Sequence, residues 1–200
     1  MAKVKICGIR RIEDVLITNC FEIDYIGFIF ANSFRRVSKQ QAMELANINK
    51  SAETVGVFVN EDVDIIIDIA NSVGLDVIQL HGDEDQDIIG YLKEKTNCKI
   101  WKAIRVKDKS ALNDLNYDYD RYLYDSYSDV RYGGNGIQID HRIIKELNMN
   151  DSILAGGVNI DNINKMLMYN PYCLDISSGI EVDGYKNYDK LKRIMEVIRQ

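Results

Sequence analysis

The chain has 200 residues, of which 46% are hydrophobic and 28% are charged, as in ordinary globular proteins. Its 25 basic and 31 acidic side chains give a net charge of −6, which disfavours nucleic acid and anionic membranes as partners, and no apolar run approaches the roughly 20 residues of a transmembrane helix. We therefore expect one soluble domain over residues 1–200, in which local groups must hold any phosphate.

Eight short apolar runs follow one another along the chain and predict eight strands. Stretches of helical period separate them, most clearly over residues 61–73, 85–96, 159–168 and 188–198. In chain order the runs are VKICG from Val4, YIGFIF from Tyr25, TVGVFV from Thr54, LDVIQL from Leu75, KIWKAI from Lys99, RYLYD from Arg121, SILAG from Ser152 and CLDIS from Cys173.

This alternation predicts a parallel α/β fold. Strands this apolar are typical of parallel sheets, which helices cover on both faces, and eight strand–helix units are the number that closes a (β/α)8 TIM barrel. Barrels of this type typically have about 250 residues, so this chain has little room for added domains or long lids. A doubly wound open sheet is the structural alternative.

Reactive residue types occur where the apolar runs stop. In a parallel barrel the catalytic groups lie at the carboxyl ends of the strands, which converge in space. We therefore expect the side chains at these ends to share one site. They are Cys7 after strand one, Arg35 and Arg36 after strand two, Gln79 and His81 after strand four, and Asp125 after strand six.

Each candidate also has a structural interpretation. Cys7 can be an inert buried thiol, since free cysteine behaves as a small apolar side chain. Asp125 follows two apolar residues, where an unpaired carboxylate is costly to bury, so a functional role is favoured over a cap on the following loop. The arginine pair can be merely solvated, and Gln79 and His81 can be structural.

Small residues follow strands six, seven and eight, over residues 133–136, 155–157 and 177–179. Barrels often bind phosphate with the loops after strands seven and eight, because small residues expose backbone N–H groups there. A lone glycine pair is usually only a turn, so the position of these loops carries the argument. The last two loops predict a phosphate site.

The sequence gives no sign of a metal site, a disulfide framework or secretion. The four cysteines have no CxxC spacing and the chain has two histidines, so no zinc pattern is recognisable. The first ten residues, MAKVKICGIR, run directly into a strand pattern rather than into the apolar segment of a secretory signal. We expect a cytoplasmic protein without metal or cofactor.

Six segments together resemble a known family. In chain order they are VKICGI at 4–9, GFIF at 27–30, VGVFV at 55–59, QLHG at 79–82, LAGG at 154–157 and DISSGIE at 175–181. They closely resemble motifs of phosphoribosylanthranilate isomerase, occur in that family's order and extend over essentially the whole chain.

This resemblance implies a TIM barrel that catalyses an Amadori rearrangement in tryptophan biosynthesis without a cofactor. The substrate N-(5′-phosphoribosyl)anthranilate becomes the corresponding 1-deoxyribulose 5-phosphate. By motif, Asp125 is the general acid that protonates the ring oxygen and opens the furanose to an iminium ion. Cys7 is the general base that then removes the proton from C2′.

The resemblance also implies which residues bind the substrate. The family pattern Ser-x-Arg aligns with Ser33-Phe34-Arg35, which makes Arg35 the partner of the anthranilate carboxylate and Arg36 the neighbouring alternative. The family often has proline in place of Phe34, and a tryptophan commonly follows the aspartate where this chain has Asp140-His141; both departures affect local loop geometry. The remaining assignments are Gln79, His81 and Asp175 for the substrate, and Gly156, Gly157, Ser177, Ser178 and Gly179 for its phosphate.

Two other functions compete with this one. The related aminoaldose isomerase of histidine biosynthesis performs the same rearrangement on a larger substrate, but it resembles a chain with paired aspartates and two phosphate sites. A non-catalytic binder of a phosphorylated ligand would keep the small-residue loops and tolerate loss of Cys7 or Asp125, both of which are present. We favour the isomerase, acting on a small phosphorylated molecule as a monomer or homodimer.

Overall fold

Eight parallel strands form the centre of the molecule. They are β1 (Lys3–Cys7), β2 (Tyr25–Ile29), β3 (Glu53–Phe58), β4 (Val77–Leu80), β5 (Lys99–Val106), β6 (Arg121–Ser126), β7 (Ile153–Leu154) and β8 (Cys173–Ile176). The computed structural model describes residues 1–112, 118–126 and 141–200. The strands are hydrogen-bonded in chain order and β8 pairs with β1, which closes the barrel. The predicted (β/α)8 fold is confirmed. The doubly wound open sheet is excluded, because the first and last strands of an open sheet do not pair with each other, whereas β1 and β8 do.

Helices alternate with the strands. They are α1 (Ile12–Thr18), α2 (Lys39–Ile48), α3 (Val63–Val73), α4 (Gln86–Lys95), α5 (His141–Ile144), α6 (Ile163–Leu167) and α7 (Tyr188–Ile198), with short 3-10 helices at Lys109–Leu112, Met149–Asp151 and Ser178–Ile180. Within the three described ranges, no helix is long and apolar enough to cross a membrane.

Local sequence signals set the ends of several helices. The side chains of Ser38, Asp62 and Asp85 accept hydrogen bonds from backbone N–H groups in the first turns of α2, α3 and α4, as N-cap residues do. Helix α3 ends at Gly74, whose φ of 72° is left-handed and therefore suits glycine. These caps explain why α3 and α4 lie within the stretches of helical period.

Successive strand residues alternate between two apolar layers. Val4 and Ile6 of β1 pack with helix residues in the larger, outer cluster. In the smaller, inner cluster the rings of Tyr25 and Trp101 meet edge to face, with centroids 4.9 Å apart. The barrel interior is therefore filled by side chains, as in other barrels of this type. The inner cluster consists of Tyr25, Val55, Val77, Trp101, Ala103, Leu123, Ile153, Ala155 and Cys173.

A short hairpin after β8 was not predicted from the sequence. Its strands β9 (Glu181–Val182) and β10 (Tyr185–Lys186) pair antiparallel. The turn residues Asp183 and Gly184 have φ values of 51° and 78°, as the Asp-Gly pair of a type I′ turn requires. Because two-residue strands are too short to show alternation, this Asp-Gly pair was the only local signal for the hairpin.

The strands after the barrel's midpoint differ in length from the predicted ones. Strand β5 continues to Val106, and β7 contains two residues. The chain leaves β7 through Gly156 and Gly157, whose φ values of 89° and 67° are incompatible with an extended strand. The predicted small-residue loop at 133–136 lies outside the described residues.

Candidate active site

The carboxyl ends of the strands surround a cavity of about 680 Å³. Its volume is in the usual range for a site that binds a small molecule. The structure brings together, on the walls of this cavity, every residue of the predicted site except Gly179. These residues are Cys7, Arg35, Gln79, His81, Asp125, Gly156, Gly157, Asp175, Ser177 and Ser178.

Two glycines make room for Cys7 and Arg35. A Cβ atom at Gly27 of β2 would lie 3.0 Å from the Sγ atom of Cys7, so a larger residue there would press on the thiol. Gly8 has a φ of 81°, which favours glycine, and a Cβ atom there would lie 2.5 Å from Cδ of Arg35. The Cys-Gly pair therefore lets both functional side chains reach the cavity.

The environment of Cys7 combines burial with charge. The residue is 7% exposed, and burial raises the pKa of its thiol above the ordinary value. The ammonium group of Lys5 lowers this pKa, the Asp175 carboxylate raises it, and Lys186 lowers it. The pKa of the Cys7 thiol is raised overall, so formation of its thiolate depends on stabilisation by Lys5 and Lys186.

Asp125 lies near the end of β6 and belongs to a chain of polar contacts. Its Oδ2 atom lies 3.3 Å from Nε2 of His81, and Nδ1 of His81 lies 2.9 Å from the amide nitrogen of Gln79. Since an amide nitrogen only donates, Nδ1 accepts and the proton of a neutral imidazole is on Nε2, beside Asp125. The His81–Asp125 contact is less well aligned than a hydrogen bond, as is common for catalytic contacts before substrate binds.

Asp125 also contacts Ser126, the last residue of β6. Its Oδ1 atom accepts a hydrogen bond of 2.8 Å from the backbone N–H of Ser126. Oδ1 thus binds within β6, while Oδ2 lies beside His81. The loop that the carboxylate was considered to cap lies outside the described residues.

A buried ion pair lies below Cys7. The Nζ atom of Lys5 is 2.9 Å from Oδ2 of Asp175, and the Lys5 side chain has no exposed surface. Burial by itself lowers the pKa of Lys5, but Asp175 and Cys7 raise it, and the net shift is upward. Lys5 is therefore a buried cation at neutral pH.

Arg35, rather than Arg36, is the arginine in the cavity. Arg36 is exposed, whereas Arg35 is buried and binds Glu181 through two hydrogen bonds, from Nε to Oε1 at 2.8 Å and from Nη2 to Oε2 at 2.7 Å. Such a paired contact fixes the plane of the guanidinium group.

The hairpin adds a second cation to this pair. Lys186 of β10 is buried and donates to Oε1 of Glu181 at 2.8 Å and to the carbonyl oxygen of Ser177 at 3.2 Å. Burial would raise the pKa of Glu181, but Arg35 and Lys186 lower it to about 2. Burial lowers the pKa of Lys186, although Glu181 opposes this. Glu181 thus anchors Arg35 to the hairpin. Lys186, which is paired with the same carboxylate, anchors the loop after β8.

The loops after β7 and β8 pack directly on each other. A Cβ atom at Gly179 would overlap the carbonyl oxygen of Val158, so glycine allows the two backbones to touch. A Cβ atom at Gly156 would lie 3.0 Å from Oγ of Ser126. Ser177 ties this region to β1, because its Oγ atom donates to the carbonyl oxygen of Cys7 at 3.0 Å. The result is a backbone-lined corner of the cavity next to Cys7.

Three charged residues of this site were missed from the sequence. Lys5 stands two positions before Cys7 on the same face of an apolar strand, and a lysine in that register was an available signal. Glu181 and Lys186 flank the Asp-Gly turn as cross-strand partners. Their proximity to Arg35 was not predictable, because it depends on how the hairpin folds against the loop after β2.

Comparisons with known sequences agree with this geometry. The family model for PRAI, N-(5′phosphoribosyl)anthranilate (PRA) isomerase, matches residues 4–197. The N-(5′-phosphoribosyl)anthranilate isomerase of Thermoanaerobacter pseudethanolicus is 42% identical over 203 residues, which cover 100% of this chain and 98% of the relative. The enzyme of the same name from Clostridium acetobutylicum is 40% identical over 206 residues, with coverages of 100% and 99%.

Solved structures show the same likeness. Phosphoribosyl anthranilate isomerase from Thermus thermophilus superposes with a TM-score of 0.88 at 27% identity, over 98% of each chain. Monomers generated from the dimeric isomerase of Thermotoga maritima give 0.85 at 31% identity, over 100% and 99%. An isomerase in complex with reduced 1-(o-carboxyphenylamino)-1-deoxyribulose 5-phosphate gives 0.81 at 28% identity, over 98% and 97%. The chain therefore belongs to the N-(5′-phosphoribosyl)anthranilate isomerase family.

Proposed function

We propose that this chain converts N-(5′-phosphoribosyl)anthranilate into 1-(2-carboxyphenylamino)-1-deoxyribulose 5-phosphate in tryptophan biosynthesis, with Cys7 and Asp125 as base and acid. One observation carries the assignment of roles. A thiol on β1 and a carboxylate on β6, both nearly buried, line one cavity together with an arginine and two small-residue loops. Acid and base on separate strands suit a reaction that needs proton transfer at two atoms.

The proposed reaction begins at the sugar ring. Asp125 gives its proton to the ring oxygen as the bond between that oxygen and C1′ breaks, and the anilino nitrogen supplies the electron pair of the resulting iminium ion. His81, held by Gln79, orients the carboxyl group for this transfer.

Cys7 acts on the opened chain. Its thiolate removes the proton from C2′, the C–H electron pair forms the C1′–C2′ double bond, and the iminium nitrogen takes up its electron pair again. The enolamine then becomes the amino ketone by moving the hydroxyl proton to C1′. Reactant and product contain the same atoms, so the reaction needs no oxidant or reductant. Cys7 then releases its proton to solvent and Asp125 takes one up, which restores the starting protonation states.

Arg35 is the proposed partner of the anthranilate carboxylate. Glu181 takes its Nε and Nη2 atoms, which leaves Nη1 for the substrate. Because the fork is already oriented, little side-chain entropy is lost on binding. In this assignment the Arg35 guanidinium group binds Glu181 of the hairpin and the substrate carboxylate at the same time.

The other substrate groups are assigned by position and polarity. Among the described residues, the Oε1 atom of Gln79 and the Oδ1 atom of Asp175 are buried without a hydrogen-bond partner, and both residues line the cavity. A buried acceptor without a partner is costly, so we assign both to hydroxyl groups of the ribose chain. The phosphate is assigned to the loops at residues 156–157 and 177–179, where backbone N–H groups can approach an anion.

The experiment is the loss of substrate fluorescence on adding purified protein, with a metal chelator present. We expect rapid, chelator-insensitive turnover by the wild type and a loss of at least about a hundredfold in Cys7→Ala. Cys20→Ala is the matched control, because Cys20 is an exposed cysteine outside the cavity, and it should retain full activity. A folded wild type without turnover would favour a non-catalytic binder, and an active Cys7→Ala variant would remove Cys7 as the base.

The setting of this activity is part of the proposal. We assign the protein to the cytoplasm, as one catalytic domain over residues 1–200 that uses neither metal nor cofactor. The dimeric relative from Thermotoga maritima makes a homodimer the first alternative to a monomer. Sedimentation at micromolar concentration distinguishes the two.

A further inference from the structure

Lys5 and Cys7 occupy the same small space inside the barrel. A Cβ atom at Gly27 would lie 3.0 Å from Sγ of Cys7 and 3.4 Å from Cε of Lys5. Both side chains therefore lie against the gap that this glycine leaves on β2. The charge of the Lys5 ammonium group lowers the pKa of the Cys7 thiol.

The remaining charges near Cys7 come from other elements of the barrel. Asp175 on β8 opposes ionisation of the thiol, and Lys186 on β10 favours it less strongly than Lys5 does. Arg35 and Asp125 lie on the walls of the same cavity. Of these groups, Lys5 has the largest favourable effect on a negative charge at Sγ.

Asp175 makes it feasible to bury Lys5. A buried cation without a counterion carries a large desolvation penalty, and the ion pair of 2.9 Å with Asp175 supplies that counterion. When Cys7 takes up the substrate proton and becomes neutral, Lys5 still has Asp175 as its partner. The cation can thus remain charged during the whole reaction.

We propose that Lys5 is a positioning residue for the catalytic base, whose charge stabilises the Cys7 thiolate across the gap left by Gly27. This inference rests on the proposed function, in which Cys7 is the base. It gives Lys5 a role in proton transfer although Lys5 lies below the cavity and does not line it.

The test compares two variants that both lack the Asp175 charge. In Asp175→Asn the Lys5 ammonium group remains, with the Cys7 thiolate as its counterion, and in the double variant Lys5→Met/Asp175→Asn it is absent, with no buried carboxylate left unpaired. Labelling of Cys7 by iodoacetamide is followed against pH without substrate, and mass spectrometry of the Cys7 peptide separates it from the other three cysteines. Far-UV circular dichroism verifies that both variants are folded.

We expect the labelling midpoint of the double variant to lie about one pH unit or more above that of Asp175→Asn, because a nearby opposite charge typically shifts the pKa of an acid by about 1–3 units. Asp175→Asn alone should lie below the wild type. Lys3→Met is the control: Lys3 is on the same strand beside Tyr25, and its loss should leave the Cys7 midpoint in place.

Coinciding midpoints for Asp175→Asn and the double variant would overturn the role of Lys5. So would an equal shift in Lys3→Met, because the effect would then be a general one of removing charge from β1. Labelling does not depend on turnover. A wild type that fails to isomerise the substrate while the midpoints separate would therefore count against the proposed function and not against the Lys5–Cys7 interaction.

Discussion

The two sides of the cavity are built from different chemistry. On the side of β1 and β8, the thiol of Cys7 lies above a buried ion pair and beside the Lys186 ammonium group. On the side of β4 and β6, Asp125 contacts His81 and Ser126, and His81 contacts Gln79. The second side also holds a buried ion pair, Lys102–Glu84 at 2.6 Å, but among the described residues the contacts of Asp125 itself are with an imidazole and a backbone N–H.

The difference follows from what an acid and a base require. A base that acts as an anion is stabilised by a nearby cation, whereas a carboxyl group that must donate a proton would be held ionised by one. Lys5 and Lys186 lower the pKa of the Cys7 thiol, whereas Asp125 is contacted by the His81 imidazole and the backbone N–H of Ser126, which orient a carboxyl group without a permanent charge. The predictions below disturb one side at a time.

The largest effect is expected from Asp125→Asn, which removes the acid but keeps its shape. We expect kcat to fall by about 10²–10⁴-fold with little change in KM, measured by substrate fluorescence. The pH dependence of Cys7 labelling should remain that of the wild type, because the base side is intact. Activity within a few-fold of wild type in a folded variant would show that Asp125 is not the acid.

The loops on the base side are tested by Gly179→Ala. The new Cβ atom would overlap the carbonyl oxygen of Val158, so the loops after β7 and β8 must separate. We expect KM to rise by tens-fold through a weaker phosphate site, together with a lower unfolding temperature.

Gly90→Ala is the matched control for that variant. Gly90 lies in α4 with no atom within 4 Å of an added Cβ, so alanine should stabilise the protein by roughly 0.5–1 kcal/mol. An unchanged KM in Gly179→Ala would show that the close contact between the loops after β7 and β8 does not contribute to phosphate binding.

His81→Asn tests whether His81 orients Asp125 or transfers a proton itself. Because His81 contacts Asp125 at 3.3 Å and is assigned to orientation rather than to proton transfer, we expect kcat to fall by roughly tenfold, less than in Asp125→Asn. The kinetics are measured with the same fluorescence assay. A loss as large as that of Asp125→Asn would instead assign a proton-transfer role to His81.

The last prediction concerns stability rather than turnover, and is a pH dependence on the base side. The pKa of Glu181 is lowered from 4.5 to about 2, so its contribution is complete above pH 4.5 and is lost as pH falls towards 2. Between pH 6 and pH 3 this loss amounts to about 2 kcal/mol.

Glu181→Gln provides the comparison, with urea unfolding at pH 6 and pH 3 as the measurement. The variant should be less stable than the wild type at pH 6, because Arg35 and Lys186 lose their carboxylate, and the gap should narrow at pH 3. If the difference in unfolding free energy between wild type and variant is the same at both pH values, the low pKa of Glu181 does not contribute to stability.

The sequence by itself determined the eight strands and their order, although β5 and β7 end at other residues than the predicted ones. Alternation of apolar runs with helical stretches is a local signal, and the carboxyl ends of parallel strands converge whatever the details of packing. Cys7 and Asp125 were therefore found together from the sequence. The two small-residue loops were found from their position after strands seven and eight, and family motifs added the proposed roles of Cys7 and Asp125.

Only the tertiary structure decided which charges surround these groups. Arg35 rather than Arg36 enters the cavity because Glu181 of the hairpin holds it. Lys5 meets Asp175 because β1 and β8 pair in a register that places the two residues side by side, although they are 170 positions apart in the chain. Electrostatic contacts of this kind depend on barrel closure and strand register, and neither can be read from a local pattern.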